Sequence, residues 1–297
     1  MRILLCTKND VFGADILNWL LPRLARHELT VLLGDNVPAK AGGIPDLVVQ
    51  KTLEYEVPLN RLFPLIDAQP LHGELLTFQG LAQRHGVSIE KVYNINDSAS
   101  ERRIRDFAPD VNVLARFNLI LKANTLLIPR LGTYNIHPGA LPGYAGLLAP
   151  MRGLLNGDAR LGCTLHQVDE GIDTGNIYSV SWLPAVPSRS VFGHIADLYR
   201  MGLVSLMSLL EELDQGVSPT LTPQDRTAFR YYRLPVAGDF AELRRRGVEL
   251  ALYPDYCRFI RRFWPDGMQG RTPEFFEPAG IEAMIAQITA DGSPGSP

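Results

Sequence analysis

Between Gly132 and Ile177 the chain sets an amide, an imidazole and several carboxylates at spacings that suit acyl-group chemistry. The first half reads Gly132-Thr133-Tyr134-Asn135-Ile136-His137-Pro138-Gly139-Ala140-Leu141-Pro142-Gly143-Tyr144-Ala145-Gly146. Thr133 to His137 is predicted as a strand that Pro138 stops. Side chains two apart on a strand leave the same face, so Asn135 and His137 project together and Tyr134 and Ile136 point the other way. An amide donor beside a titratable ring can stabilise an oxyanion and move a proton. The pair alone also fits a buried Asn and His satisfied by backbone groups, the fate of most buried polar side chains. The second half, Gly162-Cys163-Thr164-Leu165-His166-Gln167-Val168-Asp169-Glu170-Gly171-Ile172-Asp173-Thr174-Gly175, adds an acidic, glycine-punctuated turn between two strands that could bring a carboxylate to the imidazole.

The Asn135-Ile136-His137-Pro138 run, Leu141-Pro142, Gly146 and the turn from Asp169 to Gly175 resemble, in order and spacing, the active-site motifs of the folate-dependent formyltransferases. That family includes glycinamide ribonucleotide, methionyl-tRNA, amino-sugar and siderophore formyltransferases. Asn156-Gly157-Asp158 is similar to a helix end of the same family, and the resemblance covers roughly Asp110 to Tyr178. It implies 10-formyltetrahydrofolate as co-substrate, Asn135, His137 and Asp173 as catalytic residues, and no metal. It also implies a folate pocket from Phe117, Asn118, Leu119, Ile120 and Leu121 with the turn Val168, Asp169, Glu170, Gly171 and Ile172. Pro138, Gly139 and Tyr144 are the expected acceptor contacts.

The chemistry agrees with those residue types. An amine attacking a formyl carbon creates an oxyanion and an ammonium that must lose a proton. An amide donor at Asn135 can hold the oxyanion, and losing one such donor typically costs ~10²- to 10³-fold in rate. His137, as an imidazole, can act protonated on the oxyanion or neutral as a base. Asp173 would orient the ring and pass protons directly or through water.

These side chains require a sheet to carry them. Arg2 to Thr7, a helix over Phe12–His27 and Leu29 to Leu33 form a predicted β-α-β unit. Further strands are expected at Lys91–Ile95, Asp110–Phe117 and Thr133–His137, with helices at Leu76–His85, Ser98–Phe107 and Leu121–Leu127. The fold class is α/β: a Rossmann-like, doubly wound, mostly parallel sheet with a smaller, mainly helical C-terminal extension. After Pro138 a helix is predicted at Leu147–Asn156, strands at Cys163–Val168 and Asn176–Ser181, and one long amphipathic helix over Val191–Leu213. Residues 1–217 would be the catalytic domain and 218–297 the extension, with helices at Phe240–Arg246 and Asp255–Phe263 and a frayed Gly/Ser/Pro end from Asp291. Five prolines between Asn36 and Leu75 argue for a loop with short helical pieces, packed on the surface or serving as an acceptor-side lid.

Several functions are disfavoured. The first strand-to-helix turn, Lys8-Asn9-Asp10-Val11-Phe12-Gly13, has one glycine, so it carries neither the dinucleotide fingerprint nor a P-loop. A net charge of −3 over 297 residues, with 46% hydrophobic and 21% charged, describes a folded protein without an overall polycationic surface. Nucleic acid is therefore disfavoured as partner, and a small-molecule amine is the expected acceptor. An amino-sugar nucleotide comes first and a hydroxylamine or amino acid next. Arg226 to Arg262 holds nine arginines against four acids, interleaved with aromatics, which suits a phosphate-bearing acceptor or a solvated helix face equally.

His166, two residues from Thr164, could be mistaken for a metal ligand, but Cys163 points oppositely and no close ligand pair exists. His27, His72, His85 and His194 read as surface or structural. Three distant cysteines, no membrane-length apolar run and no leader pattern suggest a cytoplasmic protein, and a homodimer is the expected assembly. A 10-formyltetrahydrofolate hydrolase and a non-catalytic folate- or nucleotide-binding module are the rival readings. The first is disfavoured because such hydrolases carry a domain before the transferase core, whereas here the first strand starts at Arg2.

Overall fold

The computed structural model describes residues 1–35, 43–268 and 272–290. Arg2–Lys8 (β1), Glu28–Gly34 (β2), Ser88–Val92 (β3), Val111–Ala115 (β4) and Thr133–His137 (β5) run parallel. A two-residue strand, Ala145–Gly146 (β6), lies outside that sheet, whereas Arg160–Gln167 (β7) pairs antiparallel with β5, and Ile177–Pro184 (β8) antiparallel with β7. The order β3-β2-β1-β4-β5-β7-β8 is that of a doubly wound, mostly parallel sheet. β6 pairs instead with Tyr231–Tyr232 (β9).

The helices in chain order are Val11–Arg23 (α1), Pro45–Lys51 (α2), Phe63–Asp67 (α3), Phe78–His85 (α4), Ser98–Phe107 (α5), Ala123–Leu126 (α6), Ala149–Asn156 (α7), Val191–Asp214 (α8), Ala237–Arg245 (α9), Tyr253–Arg261 (α10) and Pro278–Ala290 (α11). Their starts follow capping chemistry. Asp10, Thr77, Asp97 and Ser190 each accept the backbone N–H of a residue three positions on, satisfying an otherwise orphan donor of α1, α4, α5 and α8.

Strand alternation sorts the interior into two clusters. Ile3 and Leu5 of β1, Val111 and Val113 of β4, and Tyr134 and Ile136 of β5 join α1 and α8 in the larger one. Leu4, Cys6, Leu32 and Leu114 face the other side, with Ile104 of α5 and Leu126 of α6. Asn135 and His137 therefore stand on the face opposite the large core. Buried residues from beyond position 217, among them Phe240, Tyr256, Ile260 and Phe263, belong to that same large cluster, and the Tyr256 hydroxyl donates to Leu53 O at 2.8 Å.

Three local expectations shift. The helix expected over Phe12–His27 closes at Arg23, and the strand expected at Lys91–Ile95 occupies Ser88–Val92. Between Pro45 and Asp67 the chain is a nearly continuous helical run, widened at Thr52–Glu56 and Pro58–Leu62, rather than a loop. Pro45 sits in the first turn, where a missing N–H removes no hydrogen bond, whereas Pro58 and Pro64 fall within the run, each beside a widened turn. Leu47, Leu53, Val57, Leu62 and Phe63 anchor this run in the large core. Residues 36–42 of the proline-rich stretch and the glycine-rich end from Asp291 lie outside the described residues. Cys6, Cys163 and Cys257 are free and buried, and burial raises all three thiol pKa values. Among the described residues no helix is long and apolar enough to cross a membrane.

Candidate active site

β5 brings Asn135 and His137 to the carboxyl edge of the parallel strands, and antiparallel β7 places His166 opposite Asn135. His137 is 5% exposed. Its Nε2 lies 2.6 Å from Tyr144 O, and since a carbonyl can only accept, this nitrogen carries the hydrogen and donates. The other ring nitrogen, Nδ1, then faces Asp173 Oδ2 at 3.6 Å. Gly139 makes the ring position possible, because a Cβ there would fall 2.6 Å from His137 Nε2 and 2.7 Å from Tyr144 O. The residues expected to touch an acceptor, Gly139 and Tyr144, thus brace the imidazole. Pro138, Gly139 and Tyr144 also line a shallow cleft with Asp158, Arg160 and Trp182 that does not include Asn135, His137 or Asp173. There the Tyr144 hydroxyl donates to Asp158 and accepts from Asn156, and its pKa is pushed up to about 12 by burial and by the carboxylate.

Asp173 reaches the site from a turn that builds itself. Asp169 Oδ1 accepts the Gly171 N–H at 3.0 Å and the Thr174 hydroxyl at 2.6 Å, an Asx-type closure that leaves Asp173 in the left-handed region at φ +56°. The Asp173 Oδ2 atom accepts the Gly146 N–H at 2.8 Å. That donor is aimed by β-pairing: Ala145 and Leu147 donate to Arg230 O and Tyr232 O of the β9 strand and its flank, so the intervening Gly146 N–H points the other way. Gly146, at φ +96°, admits no side chain, since a Cβ would lie 2.2 Å from Tyr232 O.

His166, not expected from the sequence to join the site, lies against both Asn135 and Asp173. Its Nδ1 donates to Gln167 O at 2.8 Å, leaving Nε2 as the acceptor for Asn135 Nδ2 at 3.1 Å. Asp173 Oδ1 lies 3.7 Å from the same Nε2. Burial pushes the His166 pKa down to about 4 against the opposing pull of Asp173, so the ring is neutral at pH 7. The available signal was the two-residue period that puts His166 on the face of Thr164, the residue paired with His137. Among the described residues no group of three or more His, Cys, Asp or Glu side chains is arranged to hold a metal ion.

The residues expected to bind folate divide by exposure. Phe117, Leu119, Leu121 and Val168 pack on the smaller apolar cluster, while Asn118 and Ile120 are exposed beside them. Asn96 fixes this loop, donating to Ile120 O at 2.8 Å and accepting the Lys122 N–H at 2.7 Å. Of the acidic turn, Asp169 closes the backbone, Gly171 gives it room, Glu170 is exposed and Ile172 is 44% exposed.

Where the sheet order reverses, between β1 and β4, a buried ion cluster fills the crevice. Arg116 binds Asp10 through Nε at 2.8 Å and Glu54 through Nη2 at 2.6 Å, and Lys8 Nζ lies 3.1 Å from Asp10. Burial works against the Asp10 carboxylate, but Arg116 and Lys8 outweigh it and hold its pKa below the ordinary value. Asp10 and Glu54 likewise overcome burial and raise that of Arg116.

With this geometry in place, the comparisons with known proteins converge. The formyl transferase family pattern matches residues 82–196, the span that holds Asn135, His137, His166 and Asp173. The methionyl-tRNA formyltransferase of Halorhodospira halophila is 34% identical over 195 residues, 63% of this chain and 62% of that protein. The protein of the same name from Bordetella avium is 28% identical over 282 residues, 93% of this chain and 83% of its own length. The chain thus spans less than two thirds of the first of these relatives. In fold it is similar to a sugar N-formyltransferase from a Shewanella species, with a TM-score of 0.53 at 14% identity over 85% of this chain and 90% of that one. An N-formyltransferase from Helicobacter canadensis, solved with folinic acid and dTDP-3-aminofucose, gives 0.52 at 16% identity over 78% and 70%. Residues 82–196 are thus similar to the formyl transferase family, and the chain shares its fold with these N-formyltransferases.

Proposed function

We propose that this protein transfers the formyl group of 10-formyltetrahydrofolate to the amine of a small anionic metabolite, an amino-sugar nucleotide being the first acceptor to test. The observation that carries the reading is the convergence of Asn135, His137 and Asp173, with the Asp173 carboxylate 3.6 Å from His137 Nδ1 and 3.7 Å from the His166 nitrogen that orients Asn135. For the folate, Phe117, Leu119 and Val168, partly buried against the smaller apolar cluster, would supply an apolar wall for a flat pteridine.

The folate supplies an electrophilic formyl carbon and a leaving nitrogen that takes up a proton. Asn135 has a second amide hydrogen that makes no other hydrogen bond among the described residues, available to the oxygen of that carbon. Because His137 Nε2–H is committed to Tyr144 O, Nδ1 is the ring nitrogen left for proton exchange, and it faces Asp173. The proton lost by the attacking amine would pass to this His137–Asp173 pair and return to the leaving nitrogen, which balances the transfer.

An anionic acceptor is supported by charge. Of the nine arginines from 226 to 262, Arg244, Arg245, Arg246, Arg258, Arg261 and Arg262 each pair with a carboxylate. Arg226, Arg230 and Arg233 form no ion pair among the described residues, are exposed, and flank the β9 strand that aims Gly146 at Asp173. A second acceptor, the aminoacyl group of a charged tRNA, is favoured by the methionyl-tRNA relatives.

The test is to incubate purified protein and 10-formyltetrahydrofolate with aminodeoxysugar nucleotides, other phosphorylated amines and methionyl-tRNA, following formylated product by mass spectrometry. Formate release without amine would indicate a hydrolase. Unchanged folate with every amine would end the transferase reading.

A further inference from the structure

The Asp173 turn is clamped from a segment that lies outside the family match and beyond the long helix α8. Three backbone and side-chain contacts do this. Ile177 and Thr222 exchange both N–H···O bonds, each at 2.8 Å, which fixes the segment two residues before Gln224. Gln224 Nε2 then donates to two carbonyl oxygens of the turn, Asp173 O at 2.9 Å and Gly175 O at 2.7 Å. Further along, β9 pairs with β6 and turns the Gly146 N–H onto the Asp173 carboxylate.

The Gln224 contact has a specific chemical requirement. Two carbonyl oxygens converge on one point, so whatever sits there must donate twice, and a terminal amide nitrogen has two hydrogens for the purpose. A carboxylate of the same shape would set an acceptor against two acceptors, and an apolar side chain would leave both carbonyls unsatisfied. Asp173 is itself a non-glycine residue at φ +56°, a sparsely populated conformation that persists only when surrounding contacts hold it. Gln224 Oε1 is buried without a partner, so the contacts made by this amide are those of its nitrogen to the turn.

We propose that Gln224 is a positioning residue for Asp173, and that the 222–232 strap is a working part of the active site. This rests on the transferase reading for its kinetic arm and is independent of it for its spectroscopic arm. The full chain would be prepared as wild type, Gln224→Glu, Gln224→Met and Asp173→Asn, each checked for folding by thermal denaturation, with ring ¹⁵N and ¹H resonances of the histidines recorded.

In both Gln224 variants the His137 and His166 ring resonances are expected to move in the direction produced by Asp173→Asn, while those of remote His27 and His85 stay in place. With an acceptor in hand, kcat should fall by ~10- to 100-fold with KM for the folate within about twofold, the scale on which a misplaced catalytic group loses rate. His137 and His166 resonances unchanged in folded variants would overturn the proposal. Loss of folding in both variants would also overturn it, by assigning the contact to stability. If the wild type formylates no amine, the transferase reading fails and the resonance comparison still decides the role of Gln224.

Discussion

Asn135 and His166 face each other across the β5–β7 pair, with Asn135 Nδ2 3.1 Å from His166 Nε2. The His166 tautomer is set by its other nitrogen, which donates to Gln167 O, so the ring can only accept from the amide. A buried neutral histidine thereby fixes which way the Asn135 amide points. Replacing it with leucine should lower kcat by ~10- to 100-fold through misdirection of an oxyanion donor, with little change in folate affinity. His166→Gln, which retains an acceptor, should recover part of the loss in steady-state kinetics. Equal rates for His166→Leu and wild type would remove this role.

The same residue makes stability depend on pH. Its pKa in the folded protein, about 4, is below the ordinary 6.5, so between those values the unfolded chain binds the extra proton. His166 therefore favours the folded state fully above pH 6.5, and the contribution declines as pH falls from 6.5 towards about 4. Burial lowers the His194 pKa as well, adding in the same direction. Urea midpoints should drop between pH 7 and pH 5, and the drop should be smaller in His166→Leu.

Asp173→Asn keeps the shape of the side chain and removes its charge from 3.6 Å of His137 Nδ1. A loss of ~10²- to 10⁴-fold in kcat is expected, the range for removing a positioned acid–base group, with folate still binding in a fluorescence titration. His137→Ala should behave alike, and full activity in either variant would discard the assigned roles.

Gly139→Ala tests the brace behind the imidazole. The added methyl would fall 2.6 Å from His137 Nε2 and 2.7 Å from Ala149 Cβ. Overpacking of this kind costs ~1–3 kcal/mol and would displace the ring. Both the denaturation midpoint and kcat should fall, more steeply than for alanine at the exposed, unhindered Gly43.

At the sheet's reversal point, Arg116→Met would leave the buried Asp10 and Glu54 carboxylates to share the charge of Lys8. Breaking a buried pair costs ~3–5 kcal/mol when the remaining charge is left uncompensated; here two carboxylates would face one ammonium, leaving one net buried charge, and a loss towards that range is expected. Chemical denaturation should report a loss of that size. A change below ~1 kcal/mol, typical of an exposed pair, would show that water reaches the cluster.

Local patterns account for what is legible in the amino-acid sequence. The strand Thr133–His137 shows itself because Tyr134 and Ile136 alternate with Asn135 and His137 and Pro138 ends the pairing, and the observed strand has those bounds. The helix from Val191 shows itself through its 3.6-residue period, and Ser190 caps it. The strand ends near Val92 were misplaced because Ser88 to Lys91 belong to an edge strand, whose alternation is weak when most of its side chains are exposed.

The amino-acid sequence by itself determined the alternating strands, the capped helices and the residue types of an amide–imidazole–carboxylate site, since propensity, period and capping act within a few positions along the chain. The tertiary structure alone decided that His166 orients Asn135, that Glu54 meets Arg116 across 62 positions, and that Gln224 grips the Asp173 turn across 51. Those relations arise when packing closes long loops, and hydrogen bonds and ion pairs then form between whichever groups the closed chain has brought together, which no local pattern encodes.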